Sequence, residues 1–272
     1  MSISFRQNFG ATYVSLTPLA LALERTLECQ LLSQHAFLGP VLDVGCGDGL
    51  FAKILFAEKI DTGIDLDPNE IACARSRDVY RELICCPGAE IPKPDATFQT
   101  ALSNSVLEHI PELMPVLKEI YRVLRPGGIF YFTVPTHEFE RQAIVTRLLL
   151  GLQLEKQAAD YCRWYNRFWR HFHAYHPDHW KQLANDAGFD VLKIVRYNSP
   201  AMTTRNDCLA PFAAFSILLK KWTGRWVLSS GLRGVILGPL ARAAERRMKE
   251  EGVGTDGSLV LVVAQKPLTP AV

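Results

Sequence analysis

Leucine recurs at positions 19, 23, 27 and 31 of the segment PLALALERTLECQLLSQ (18–34), the spacing of one helix face. Thr17 is placed to cap that helix. Pro18 suits its first position, where a missing N–H costs nothing. Gly39-Pro40 then breaks the chain. Beyond it, short apolar runs alternate with helical periodicity. The runs predict strands at 41–45, 62–65, 82–86, 98–104 and 129–135. Helices are predicted over 49–59, from Pro68, and over 111–124, where Leu113, Leu117, Ile120 and Leu124 share a face. Arg125-Pro126-Gly127-Gly128 is read as the stop of that last helix. Strands that alternate with helices imply parallel βαβ units with right-handed crossovers.

After Pro135 the pattern changes. Residues 136–176 read as helical and crowded with aromatics, and a helix over 176–188 is closed by Gly188. A sixth strand is expected at 189–197. Two apolar helices are expected within 207–251, and a buried strand at 257–267. The divisions are an N-terminal helical cap (1–38), an α/β core (39–135), a helical region with the sixth strand (136–256), and the last strand and tail (257–272), all in one structural domain.

Composition changes this picture little. The chain has 272 residues, of which 48% are apolar and 21% charged, so a soluble core is expected and disorder is not. The net charge of +2 implies no nucleic-acid partner. Seven cysteines without a C-x-x-C pair suit a reduced interior rather than a disulfide framework. With no signal pattern at the N-terminus, a cytoplasmic protein is expected. Charge is uneven: residues 137–251 carry 18 Lys+Arg against 11 Asp+Glu, and the remainder 12 against 17.

The strongest local signal is Asp43-Val44-Gly45-Cys46-Gly47-Asp48-Gly49, a strand that turns into a helix through three glycines. Such a turn lets a ligand touch the backbone, and it faces the ligand with free N–H groups. The G-x-G-x-G spacing departs from the G-x-G-x-x-G of dinucleotide folds, since Leu50 stands at the third glycine. Asp43 would repel a pyrophosphate and suits a cationic ligand. Asp65, at the end of the next strand, is placed to accept from both hydroxyls of a ribose.

This segment resembles the first motif of the class I S-adenosylmethionine-dependent methyltransferases. The similarity continues through GIDLDP (63–68), GAEIP (88–92), DATFQTALSNSVLEHI (95–110) and LKEIYRVLRPGGIFYFTVP (117–135), and more loosely through AGFDV and LVLVVAQK. The resemblance implies an α/β three-layer sandwich whose seven-stranded mixed sheet has the order 3-2-1-4-5-7-6, with strand 7 antiparallel. It implies S-adenosylmethionine as cofactor. Asp43 and the backbone of Gly45, Cys46 and Gly47 would hold the methionine end, Asp65 the ribose, and Leu66 the adenine face. Ser103 and Asn104 would line the transfer site. The sequence departs from the family in two places. No acid follows the third strand, where Pro87-Gly88-Ala89 stands, which leaves adenine to the backbone or Glu90. Gln99 replaces an aspartate common at the start of the fourth strand.

Methyl transfer needs a base only if the acceptor must lose a proton. His109, after the fourth strand, and His173, in the aromatic segment, are the candidate catalytic groups. His171, His173, His176 and His179 lie close together, but their spacing matches no standard metal motif, and no metal is expected. The aromatics from Tyr161 to Trp180, interleaved with Arg163, Arg167 and Arg170, suit a lid over the acceptor or packing onto the sheet. Residues 207–240, with Lys220, Lys221, Trp222, Arg225 and Trp226, suit a peripheral membrane contact, a cover for a lipid-like acceptor, or a dimer or core helix. The expected reaction is methylation of a small-molecule or lipid-like acceptor at oxygen or carbon. A non-catalytic S-adenosylmethionine-binding module and a nicotinamide oxidoreductase are the other readings.

Overall fold

Nine helices and seven strands are assigned over the residues that the computed structural model describes: 2–223, 227, 231, 233–239, 241, 245 and 253–268, with side chains in 211–223 described only at Ser216 and Trp222. The strands are β1 (Val41–Val44), β2 (Ile60–Asp65), β3 (Tyr80–Cys85), β4 (Phe98–Asn104), β5 (Leu124–Pro135), β6 (Asp190–Tyr197) and β7 (Leu259–Gln265). They form one sheet in the order β3-β2-β1-β4-β5-β7-β6. The pairs from β3 to β5 are parallel, and β7 runs antiparallel between β5 and β6. This is the order and direction implied by the family resemblance.

Period-two alternation sends successive strand residues to opposite faces. Val41, Leu102, Tyr131 and Leu261 face one layer with α1 (Phe9–Leu16), α2 (Leu19–Leu32), α3 (Leu50–Leu55) and α4 (Pro68–Arg77). Leu42, Val44, Phe130, Phe132 and Val262 face the other with α5 (Leu113–Val123) and α8 (Pro177–Asp186). Between β5 and α8 lie α6 (Ile144–Gly151) and α7 (Glu155–Trp169); α9 (Pro200–Thr223) follows β6.

The structure moves several expected boundaries. Thr17 ends α1 instead of capping α2: its N–H and hydroxyl both donate to Tyr13 O, at 2.8 and 3.0 Å. Pro18 consequently caps α2. The helix expected to reach residue 59 stops at Leu55, because Phe56 turns inward against the Phe5 and Phe37 rings, at 5.7 and 5.3 Å. Arg125-Pro126-Gly127-Gly128 lies inside β5 rather than before it. Leu124 pairs with Phe98 and Ile129 with Thr100, so the four residues bulge from the ladder. The aromatic segment is two helices joined at residues 152–154 and followed by a loop. α9 starts at Pro200, seven residues before the expected apolar pair. Most of that pair beyond Thr223, with Arg225 and Trp226, lies outside the described residues.

Trp180 fastens α8 to the exit of β5. It is 1% exposed, meets the Phe132 ring edge-on, and donates its Nε1–H to Pro135 O at 3.0 Å. Trp180→Ala is expected to cost about 3–5 kcal/mol of stability, from the cavity and the lost packing. Trp180→Phe keeps most of the packing and should cost about 1–3 kcal/mol, because a buried carbonyl is left unpaired. Urea denaturation measures both; a loss under about 1 kcal/mol for the alanine variant contradicts the assigned role.

Candidate functional site

The ends of β1, β2 and β4 meet where the strand order reverses, the usual crevice of open α/β sheets. The turn after β1 holds Gly45 at φ 75° and Gly47 at φ 51°, in the left-handed region. A Cβ on Gly45 would lie 2.4 Å from Val106 Cγ1, so this glycine is required by packing. A Cβ on Gly47 would meet nothing within 4 Å. Gly47 therefore holds a backbone turn that glycine adopts without strain against open space, the shape of a cradle for a ligand.

Asp65 holds that cradle in place. Its Oδ2 accepts from Gly47 N–H at 2.8 Å and its Oδ1 from Asp67 N–H at 2.9 Å. An ionised carboxylate has about four acceptor positions, so two stay free for ligand hydroxyls. Leu66, 71% exposed, stands beside it, with the Cys85 thiol 3.6 Å from its carbonyl. Glu90 is exposed. Cys46 is buried, and burial pushes its thiol well up, so it is no nucleophile near neutrality.

Asp43 is 4% exposed and accepts from Tyr80 OH at 2.7 Å. Tyr80 reaches it by crossing Gly63, where an added Cβ would lie 2.8 Å from the ring. Burial pushes the Asp43 carboxyl up to about 7, against the opposing pull of the Tyr80 hydrogen bond. A buried acid without a cationic partner is a group that a cationic ligand would ionise.

At the end of β4, Ser103 is fully buried, and its hydroxyl is among the buried groups without a hydrogen-bond partner. Asn104 is partly exposed and tied on both sides. Its Nδ2 donates to Glu28 Oε2 at 2.8 Å, and its Oδ1 accepts from Thr133 at 3.0 Å. Glu28 comes from α2 and its side chain is fully buried. It also accepts from Arg25 at 2.7 Å, Tyr197 at 3.1 Å and Ser105 at 3.3 Å. Arg25 donates to Ser105 Oγ at 2.7 Å. The sequence reading missed Arg25, Glu28, Tyr80 and Tyr197. Glu28 carried a signal, a charge one residue beyond Leu27 on the apolar stripe.

A 3-10 turn, Leu107–His109, leaves β4 and meets the loop after α7. Phe172 N–H donates to Glu108 O at 2.8 Å, and His109 Nδ1 lies 3.1 Å from Arg170 O. His109 Nε2 is left for other partners. His173 is engaged at both nitrogens, with Tyr175 OH at 2.7 Å and Ile110 O at 2.9 Å, so its ring pins the loop to the turn. Glu108 is 2% exposed, and burial pushes its carboxyl up to about 8. His171 is held down at about 4, by burial first and by His109 second. His176 caps α8 by accepting from Asp178 N–H at 3.3 Å, and His179 packs 4.3 Å from the Tyr175 ring.

Residues 42–132 match the family model described as a methyltransferase domain. That stretch contains the glycine turn, Asp65 and the exit of β4. It is a class I methyltransferase domain, the kind served by S-adenosylmethionine. The chain is 34% identical over 118 residues to a malonyl-[acyl-carrier protein] O-methyltransferase of Serratia marcescens, covering 42% of this chain and 46% of that one. It is 38% identical over 98 residues to a demethylmenaquinone methyltransferase of Listeria welshimeri, covering 32% and 41%. The chain thus spans less than half the length of these relatives. Among solved structures, a [4+2]-cyclase superposes with TM-score 0.53 at 22% identity, covering 92% of this chain and 82% of that one. At that identity the likeness shows the fold alone, and this fold hosts more than one chemistry.

The raised pKa of Asp43 makes the stability of the methyltransferase domain depend on pH. An acid whose folded value lies above its usual 3.8 binds more protons folded than unfolded. Its contribution is therefore fully present below 3.8 and is lost progressively as pH rises from there to about 7. Asp43→Asn should stabilise the ligand-free protein more at pH 8 than at pH 5, by about 1–3 kcal/mol, because pH 5 already lies above the unfolded value of 3.8. Thermal denaturation at the two pH values measures this; an equal effect at both contradicts it.

Proposed function

We propose that this chain transfers the methyl group of S-adenosylmethionine to an oxygen or carbon atom of a lipid-like acceptor. The observation that carries the transfer reading is the open cradle at Gly47, hydrogen-bonded to the Asp65 carboxylate. When bound, S-adenosylmethionine supplies an electrophilic methyl on a positively charged sulfur. Asp65 would accept from both ribose hydroxyls with its free lone pairs. The Asp43 carboxyl and the backbone of Gly45, Cys46 and Gly47 would hold the methionine end. Leu66 would pack on adenine. Ser103 and Asn104 would lie below the transferred group, with Glu28 fixing the amide of Asn104. His109 would stand at the acceptor end of the site, held there by Nδ1 at 3.1 Å from Arg170 O. His173 is better read as a positioning residue, since both its nitrogens are already held.

The lipid-like acceptor is supported by the α6–α7 hairpin. Leu148, Leu152, Phe168 and Phe172 are 61%, 69%, 56% and 60% exposed. Exposed apolar side chains in such number mark a binding face. Arg163, Arg167 and Arg170 stand exposed among them. The hairpin leads to Phe172, whose N–H donates to Glu108 O in the turn after β4, which sets this apolar face next to the exit of that strand. No described helix is long and apolar enough to cross a membrane. Peripheral contact through 207–240 adds to this reading through Trp222, 87% exposed.

Protein incubated with methyl-labelled S-adenosylmethionine and a cell extract should place label in the lipid fraction. Asp65→Ala should weaken S-adenosylhomocysteine binding by at least about tenfold by calorimetry, from the loss of a charge-assisted pair of hydrogen bonds. The labelling should fall with it. Label confined to the water-soluble fraction overturns the acceptor class. Tight S-adenosylhomocysteine binding with no label in any fraction overturns transfer and leaves a binding module.

A further inference from the structure

We propose that Glu108, His109 and His171 bind a divalent first-row transition-metal ion at the acceptor end of the cleft. The two segments are far apart in sequence, and the pairing of the 3-10 turn with the loop after α7 brings them together. One ligand atom from each residue lies within 4.8 Å of the other two. Two imidazoles and one carboxylate form the donor set that holds zinc, iron, cobalt or manganese, with positions left open.

Three details point to a cation. Glu108 is 2% exposed, and its Oε2 has no hydrogen-bond partner. A buried carboxylate oxygen in that state is costly unless something answers it. His171 Nδ1 is likewise buried and without a partner. His109 is presented as a ligand is: Nδ1 is engaged by the Arg170 carbonyl at 3.1 Å, which fixes the tautomer and leaves the Nε2 lone pair free. That Nε2 lies 3.9 Å from Glu108 Oε1. The ligand edge of a tetrahedral site with bonds of about 2.1 Å is about 3.4 Å, so the three groups need only a small inward turn. The charges around the site also suit a cation. Arg25 on α2 bears on Glu108 against the two acids beside it, Glu28 and Glu24, and is itself paired with Glu28 at 2.7 Å, so the surroundings carry two negative charges to one positive.

The ion would staple the loop after α7 to the exit of β4. Its open positions would face the acceptor side of the domain, where an oxygen atom of the acceptor could complete the shell and ionise more readily. The binding claim does not rest on the transfer reading, and its test uses no turnover.

Cobalt(II) is the probe, because its visible spectrum separates nitrogen and oxygen ligands from the thiolates of the seven cysteines. The full chain, with its accessible cysteines alkylated, should bind one equivalent by calorimetry, show a spectrum without thiolate charge transfer, and gain thermal stability. His171→Ala and Glu108→Gln should each weaken binding by at least about tenfold and abolish the gain. Glu108→Gln should also leave the metal-free protein as stable as the parent or more so, which shows that the variant folds. No binding to the folded, alkylated chain overturns the proposal. So does binding that survives both substitutions.

Discussion

The hydrogen bond from Gly47 N–H to Asp65 Oδ2, 2.8 Å long, is the contact on which the functional half of the molecule depends. It joins the turn after β1 to the end of β2, across the place where the sheet reverses direction. Gly47 sits at φ 51° with nothing beside it, a conformation open to glycine and costly to any residue with a Cβ. Asp65 fixes that turn by accepting from its N–H and also carries the lone pairs that a ribose would use. One carboxylate thus shapes the cradle and lines it, which ties the geometry of the loop to the chemistry of its ligand.

The exit of β4 is built on the same pattern, with a buried acid that organises polar groups. Glu28 gathers Arg25, Asn104, Ser105 and Tyr197 around the exit of β4. The N-terminal helices are therefore more than a cap, since α2 supplies the carboxylate that orients the end of the strand. Glu108 is the exception to this pattern. Its carboxyl is as buried as Glu28 but has an oxygen without a partner, beside two histidines. A satisfied and an unsatisfied buried acid thus stand within the electrostatic reach of the same arginine.

Much of the α/β core was legible because each strand is a continuous apolar run and each crossover helix has a clear face. β4 begins and ends at Phe98 and Asn104 as the pattern predicts. What failed did so for physical reasons. Arg-Pro-Gly-Gly reads as a break, yet a bulge lets β5 carry it. Phe56 reads as helical, yet burial against Phe5 and Phe37 draws it out of the helix. FGATYVSL has no clear period, so α1 was invisible. At the site, the glycines, Asp43 and Asp65 declared themselves by local spacing. Tyr80, Glu28 and His171 did not, because their roles come from partners remote in sequence. His173 was legible as a histidine near the site, but the hydrogen bonds to Tyr175 and Ile110 that occupy it were not.

The most direct test of the cradle is Gly47→Ala. The added methyl strains a left-handed position, at a cost of about 1 kcal/mol or somewhat more, but it meets no neighbouring atom, so the protein should fold. It would occupy the space assigned to the ligand. The account predicts that the folded variant loses S-adenosylhomocysteine binding by calorimetry. Undiminished affinity in a folded Gly47→Ala protein would contradict it.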